Sequence, residues 1–95
     1  MSTRLVISRG MIEVYRCLKS GKWLGVREVA RDCPRLNPSS VPRLLRKLRI
    51  AGVLEHVEMH PDYRYRLAVG PSAEVLELIE RLEATAAALR DAELP

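Results

Sequence analysis

Leu36-Asn37-Pro38-Ser39-Ser40-Val41-Pro42-Arg43-Leu44-Leu45-Arg46-Lys47-Leu48-Arg49-Ile50-Ala51-Gly52-Val53-Leu54 is the stretch that decides the fold. It reads as a capped, basic, amphipathic helix that is closed by glycine and runs straight into a strand. Val41, Leu44, Leu45 and Leu48 make an inward stripe, while Arg43, Arg46, Lys47 and Arg49 surround the outward face. No acid lies between Leu36 and Val53. Such a helix suits an anionic groove: phosphates attract the cations while the apolar stripe holds the helix on its own domain.

This helix can begin in two places. With Asn37 as N-cap, Pro38 takes the favoured first position, but Pro42 falls at the fifth helical residue, where its missing N–H removes a bond. With Ser39 or Ser40 as the cap, Pro42 lies in the first turn at no such loss. The later start is expected, with a loose turn before it. After Ala51-Gly52, residues Val53, Val57 and Met59 alternate with Leu54, His56 and Glu58 in a strand. His60-Pro61-Asp62 makes a turn and Tyr63-Arg64-Tyr65-Arg66-Leu67 returns. Parity puts Tyr63, Tyr65 and Leu67 on one face, expected to be buried, and Arg64 and Arg66 on the other.

Upstream, residues 1–7 form a lead-in. Ser8 can cap a helix bearing Met11, Ile12, Tyr15 and Leu18 on one face, widened by Val14 and Cys17 and stopped at Ser20-Gly21. Lys22-Trp23-Leu24 is a short extended piece. Gly25 opens a second helix through Val26, Val29 and Ala30, which Pro34 ends. Downstream of Gly70-Pro71, Ser72 caps a last helix running to about Leu89, with Val75, Leu76, Ile79, Leu82, Ala86 and Leu89 spaced by threes and fours.

The 95 residues support one domain, divided into a body over residues 1–70 and an added C-terminal helix over 71–95. The net charge of +4 is unevenly spread. Residues 1–70 carry 14 Lys/Arg against 6 Asp/Glu, a net +8, and residues 71–95 carry 2 against 6, a net −4. An acidic polymer would therefore meet the body and not the tail. Arginine supplies 13 of the 16 cations, and its planar fork suits phosphates and guanine edges, although a GC-rich genome yields the same bias.

No apolar run reaches membrane-spanning length and Leu5-Val6-Ile7 is too short for a signal peptide, so a cytoplasmic, nucleoid-associated chain without membrane contact is expected. Cys17 and Cys33 lack the paired spacing of a structural zinc site and read as two reduced thiols. His56 and His60 read as strand and turn residues. Glu13, Glu28 and Asp32 form no acid–base pair, and no Ser–His or Cys–His motif has a recognisable context. No enzymatic activity, cofactor or metal is expected.

The order helix, short strand, helix, helix, two-stranded hairpin, helix, together with Val26-Arg27-Glu28-Val29-Ala30-Arg31 and the stretch Leu36–Leu54, resembles the bacterial winged helix-turn-helix transcription regulators, in the style of the MarR, ArsR and IclR groups. The resemblance covers roughly residues 8–69 and is specific at the level of the superfamily. It implies an α+β, mainly helical, winged helix-turn-helix fold with a two-stranded wing. In such proteins the helix matching 39–51 enters the major groove and the hairpin matching 53–69 touches the backbone or minor groove. Two departures stand out: the segment from Ala30 to Val41 is one residue longer than the commonest turn, and Pro42 replaces the usual small polar or histidine side chain. The metal motifs of ArsR-type sensors are absent.

The expected double-stranded DNA contacts are Ser39, Ser40, Arg43, Arg46, Lys47, Arg49, Arg64 and Arg66. Ser39 and Ser40 serve as caps that can also donate to phosphate. Arg64 and Arg66 either keep an edge strand soluble or meet phosphate. The terminal stripe of Val75, Leu78, Ile79, Leu82 and Leu89 either packs back on the first helix or pairs two copies, and pairing is the expected outcome because a homodimer reads two half-sites about one DNA turn apart. The resulting expectation is a small homodimeric regulator of transcription. The alternatives are a DNA-binding accessory in plasmid or phage replication, segregation or excision, and a protein-interaction scaffold that has kept the shape without the DNA.

Overall fold

Ser8 stands in an extended conformation, and its Oγ accepts the Met11 backbone N–H at 3.2 Å, which closes the first turn of α1 (Arg9–Leu18). The computed structural model describes residues 7–59 and 62–93. The lead-in to residue 6 and the turn residues His60 and Pro61 fall outside this range. Gly21, at φ 77°, ends α1 in the left-handed region that glycine enters without a Cβ penalty. After it, β1 is only Leu24–Gly25. Gly25 is also the N-cap of α2 (Val26–Asp32), where Glu28 Oε1 accepts the Gly25 N–H at 3.3 Å.

The deciding helix combines both expected starts. Asn37 caps a short 3-10 turn, Pro38–Ser40, with Pro38 at its first position. The α-helix proper, α3 (Val41–Ile50), begins later, so Pro42 lies in its first turn and breaks no internal bond. The capping itself differs from the expectation. Ser40 occupies the N-cap position but its side chain makes no capping bond, and the capping side chain is that of Asn37. The exit is a Schellman motif: Val53 N–H donates to Leu48 O at 3.0 Å and Gly52 N–H to Arg49 O at 2.9 Å. It requires Gly52 at φ 84°, and it turns the chain directly into the wing.

The wing consists of β2 (Leu54–Met59) and β3 (Asp62–Leu67), paired antiparallel from Leu54 opposite Leu67 to Met59 opposite Asp62. The strand β1 pairs with the far edge of β3, Leu24 opposite Tyr65, so the sheet order is β1-β3-β2. Alternation then fixes two faces. Leu24, Leu54, His56, Tyr65 and Leu67 share one; Glu55, Val57, Arg64 and Arg66 share the other. Tyr65 is buried as expected, whereas Tyr63, nearer the wing tip, is 46% exposed. Val57 and Met59 are exposed too, because nothing among the described residues covers that end of the sheet's second face.

The last helix, α4 (Ala73–Glu93), starts where Ser72 Oγ accepts the Val75 N–H at 3.3 Å and runs about one turn beyond the expected end. It lies against α1. Tyr15 donates its hydroxyl to Glu83 Oε1 at 2.6 Å, Lys19 donates to Glu83 Oε2 at 3.1 Å, and Arg16 Nη2 donates to the Ala86 carbonyl at 2.8 Å. Burial and the bond to Glu83 push the Tyr15 phenol well above its ordinary range. The bonds from Tyr15 and then Lys19 hold the Glu83 carboxyl below the usual carboxylate range. One core joins all elements: Ile12, Tyr15 and Leu18 of α1, Val29 of α2, Leu45 and Leu48 of α3, Leu54 and Tyr65 of the sheet, Leu82 and Ala86 of α4. The architecture is α+β, mainly helical, with a small wing and an added C-terminal helix.

Candidate nucleic-acid interface

Because Val41, Leu44, Leu45 and Leu48 are drawn into the core, helical spacing forces the other positions of α3 outward. Pro42, Arg43, Arg46 and Lys47 are exposed and Arg49 is half-buried. Between them stands Ile50, at 69% exposure, an apolar side chain on the basic face. Among the described residues none of Arg43, Arg46, Lys47 or Arg49 forms an ion pair. One helix therefore carries three exposed cations and a half-buried fourth, none of them neutralised by a carboxylate among the described residues.

At the start of this helix the two serines differ. Ser39 is exposed, and its hydroxyl donates to Asn37 Oδ1 at 2.9 Å while its N–H donates to the same oxygen at 3.1 Å. Its proton is thus in use, leaving the oxygen's lone pairs outward. Ser40 is half-buried and makes no capping bond.

The wing arginines are placed differently. Arg64 Nη1 lies 2.8 Å from Glu28 Oε1 of α2, and Arg66 pairs with Glu55, its cross-strand neighbour. The Arg66 guanidinium also sits over the Trp23 ring, 4.3 Å from its centroid, a cation–π contact. Both side chains tie the wing to the body on the sheet face away from α3.

The opposite sheet face, the one bearing His56, forms an open cleft with α3. Pro42, Arg46 and Arg49 line one side and His56, Tyr63 and Tyr65 the other. The imidazole centroid lies 5.7 Å from that of Tyr63 and 6.3 Å from that of Tyr65, both in tilted arrangements. Sequence reasoning assigned His56 and Tyr63 no binding role. The available signal was parity, which places His56 two residues from buried Leu54 and opposite Tyr65.

Along α4, Leu82 is fully enclosed by the chain's own core, so the helix does pack on its own domain. Val75, Leu78, Ile79 and Leu89 are half-buried and Leu76 is 48% exposed. Burial pushes the Cys17 and Cys33 thiols above their ordinary range, which keeps both protonated at neutral pH.

No protein-family model matches the chain, and no curated protein matches it in sequence. Solved structures do match its fold. The PcaV transcriptional regulator from Streptomyces coelicolor, determined with its natural ligand, superposes with a TM-score of 0.66 at 21% identity, over 94% of this chain and 64% of that one. The antimony-specific transcriptional repressor AntR gives 0.59 at 21% identity, over 86% of this chain and 68% of the other. MarR from E. coli, in its apo form, gives 0.58 at 17% identity, over 94% and 79%. This chain thus spans less than two thirds of the length of PcaV. At these identities the likeness is one of fold alone, a winged helix-turn-helix with an added C-terminal helix.

Proposed function

We propose that this chain is a double-stranded DNA-binding protein that acts, as a homodimer, as a small regulator of transcription. The observation that carries the reading is the outward face of α3, where Arg43, Arg46, Lys47 and Arg49 stand without an ion-pair partner among the described residues on a helix whose other side is locked into the core. Cations held rigidly and left unneutralised match the row of phosphates along a groove, and their counterion release supplies the affinity. The fold supports the reading, because structures that share it include transcriptional regulators.

Pairing of two copies is supported by the exposed Leu76 on α4 and by the half-buried Val75, Leu78, Ile79 and Leu89, the last three of which pack in part on the core. The acidic tail disfavours contact of this segment with phosphate, so its place is away from the groove. Two reading helices would then meet half-sites about one DNA turn apart.

The test is fluorescence anisotropy of the intact chain with a labelled duplex over a range of salt, alongside sedimentation of the free protein. A DNA binder shows affinity that falls steeply as salt rises. A protein-interaction scaffold of the same shape shows no such slope. A chain that sediments as a monomer at micromolar concentration rules out the dimer.

A further inference from the structure

The cleft between α3 and the wing supplies a more specific assignment, which rests on the DNA-binding reading above. Its walls carry two guanidinium groups, one imidazole and two phenols, and none of its six lining residues is a carboxylate. It is open to solvent, with about 490 Å³ of space between the helix and the wing. The side chains that would grip it come from both elements a duplex backbone would have to pass between.

We propose that this cleft seats one DNA backbone phosphate, held by Arg46 and Arg49 from the helix and by His56 and the Tyr63 hydroxyl from the wing, and that His56 takes up a proton as the phosphate enters. The wing then contacts DNA through its inner face. Arg64 and Arg66 on the other face are already engaged by Glu28 and Glu55, and act as positioning residues that fix the angle of the hairpin. Tyr65, almost fully buried, and half-exposed Tyr63 flank the imidazole with tilted rings, which limits where it can point.

The charges around His56 give the sign of the pH effect. Arg46 and Arg49 face it from α3, Tyr63 and Tyr65 face it from β3, and Glu58 lies on its own strand and face, opposite Tyr63. Glu55 and Arg66 point to the other face and are paired with each other. A phosphate seated against His56 places negative charge beside the imidazole and favours the imidazolium. The bound state therefore holds the proton more tightly than the free state, so affinity is strongest at low pH and is lost as pH rises through the range where the bound imidazolium gives up its proton. One proton changes affinity by at most about tenfold per pH unit.

The experiment measures affinity for a random 20-base-pair duplex between pH 6 and pH 8, for the intact chain and for His56→Gln, with His60→Gln as the control for the chain's other histidine. Exposed His56 tolerates glutamine, and circular dichroism checks the fold. The intact chain and His60→Gln should bind about tenfold more tightly at pH 6 than at pH 8, and His56→Gln should lose that dependence. Arg49→Ala and Tyr63→Phe should weaken binding and reduce the pH effect as well. A chain with no salt-dependent DNA binding at all would defeat the underlying reading. Strong salt-dependent binding with the same pH profile in His56→Gln would defeat this inference alone. Inorganic phosphate at millimolar concentration is the second arm, followed through the His56 imidazole resonances. If it binds there while DNA affinity ignores His56→Gln, the cleft takes free phosphate and the backbone seat is overturned.

Discussion

Neutralising the outward cations of α3 one at a time should change the salt dependence of DNA binding in countable steps. Each phosphate neutralised contributes about −0.9 to the slope of log affinity against log salt. With Arg43 and Lys47 each on a phosphate and Arg46 and Arg49 sharing one, α3 sets a slope of about −2.7 per chain, a loss of about 40-fold between 50 and 200 mM salt. Arg43→Ala should bring the slope to about −1.8 and the loss to about 12-fold; adding Arg46→Ala should lower affinity further at every salt concentration with little added change of slope, because Arg49 still holds the shared phosphate. Two paired copies double each slope. Arg43 and Arg46 are the informative positions because both are exposed and alanine is at home in a helix. Lys47 and Arg49 lie in the last turn, where removing a cation also costs roughly 0.3–1 kcal/mol of helix stability through the macrodipole. Anisotropy titrations at four or five salt concentrations measure the slopes, and thermal melts confirm that the variants fold. A double variant with the parent's slope would show that α3 does not lie on the phosphates.

Three further outcomes follow from the packing. Leu82→Ala should destabilise the chain by about 2–5 kcal/mol, read as a lowered urea midpoint, since Leu82 is fully buried where α4 meets the body; an unchanged midpoint would mean that α4 is not part of the folded unit. Gly52→Ala should cost more than Gly21→Ala. Both glycines have positive φ, but a Cβ at Gly52 would lie 2.9 Å from Val75 Cγ2, whereas at Gly21 it meets open space, so the left-handed penalty of about 1–2 kcal/mol is common to both and the difference reports the clash. Acid should weaken the α1–α4 contact. The Glu83 carboxyl is held below its ordinary range by the Tyr15 hydroxyl and then Lys19, so its contribution is complete above the unfolded-state value and is lost as pH falls through the lowered folded one. Glu83→Gln should flatten that part of the melting-temperature profile between pH 7 and pH 3, and an unaltered profile would assign the acid sensitivity to another group.

The fold was legible in the sequence wherever a local signal decided a local structure. Ser8 and Ser72 cap α1 and α4, Gly21 and Gly52 end α1 and α3, and Val41, Leu44, Leu45 and Leu48 face inward, each as spacing and side-chain chemistry require. The start of α3 was less so, because two capping signals overlap there. Asn37 and Pro38 nucleate a 3-10 turn that feeds the later α-helix, and both are satisfied in succession. The faces of the wing followed from parity, yet parity says nothing of how far the body reaches along the hairpin. That is why Tyr65 is buried and Tyr63, two residues on, is not.

Charge was the least legible property, since a cation's availability depends on what the fold brings beside it. In sequence, Arg43, Arg46, Arg64 and Arg66 look alike. In the folded chain, Glu28 reaches Arg64 across 36 residues, and the hairpin register sets Glu55 opposite Arg66. Among the described residues no such partner comes to Arg43 or Arg46, which stand on a stretch that carries no acid of its own. An ion pair on a protein surface contributes little stability, so the two wing pairs matter more for where they hold the hairpin. They turn its cationic face toward α2 and Trp23, and the face left beside α3 is the one that carries His56 and Tyr63. A basic hairpin in the sequence thus becomes, once folded, a brace on one side and an uncharged-to-cationic cleft on the other. It is this second side that a duplex lying along α3 would meet.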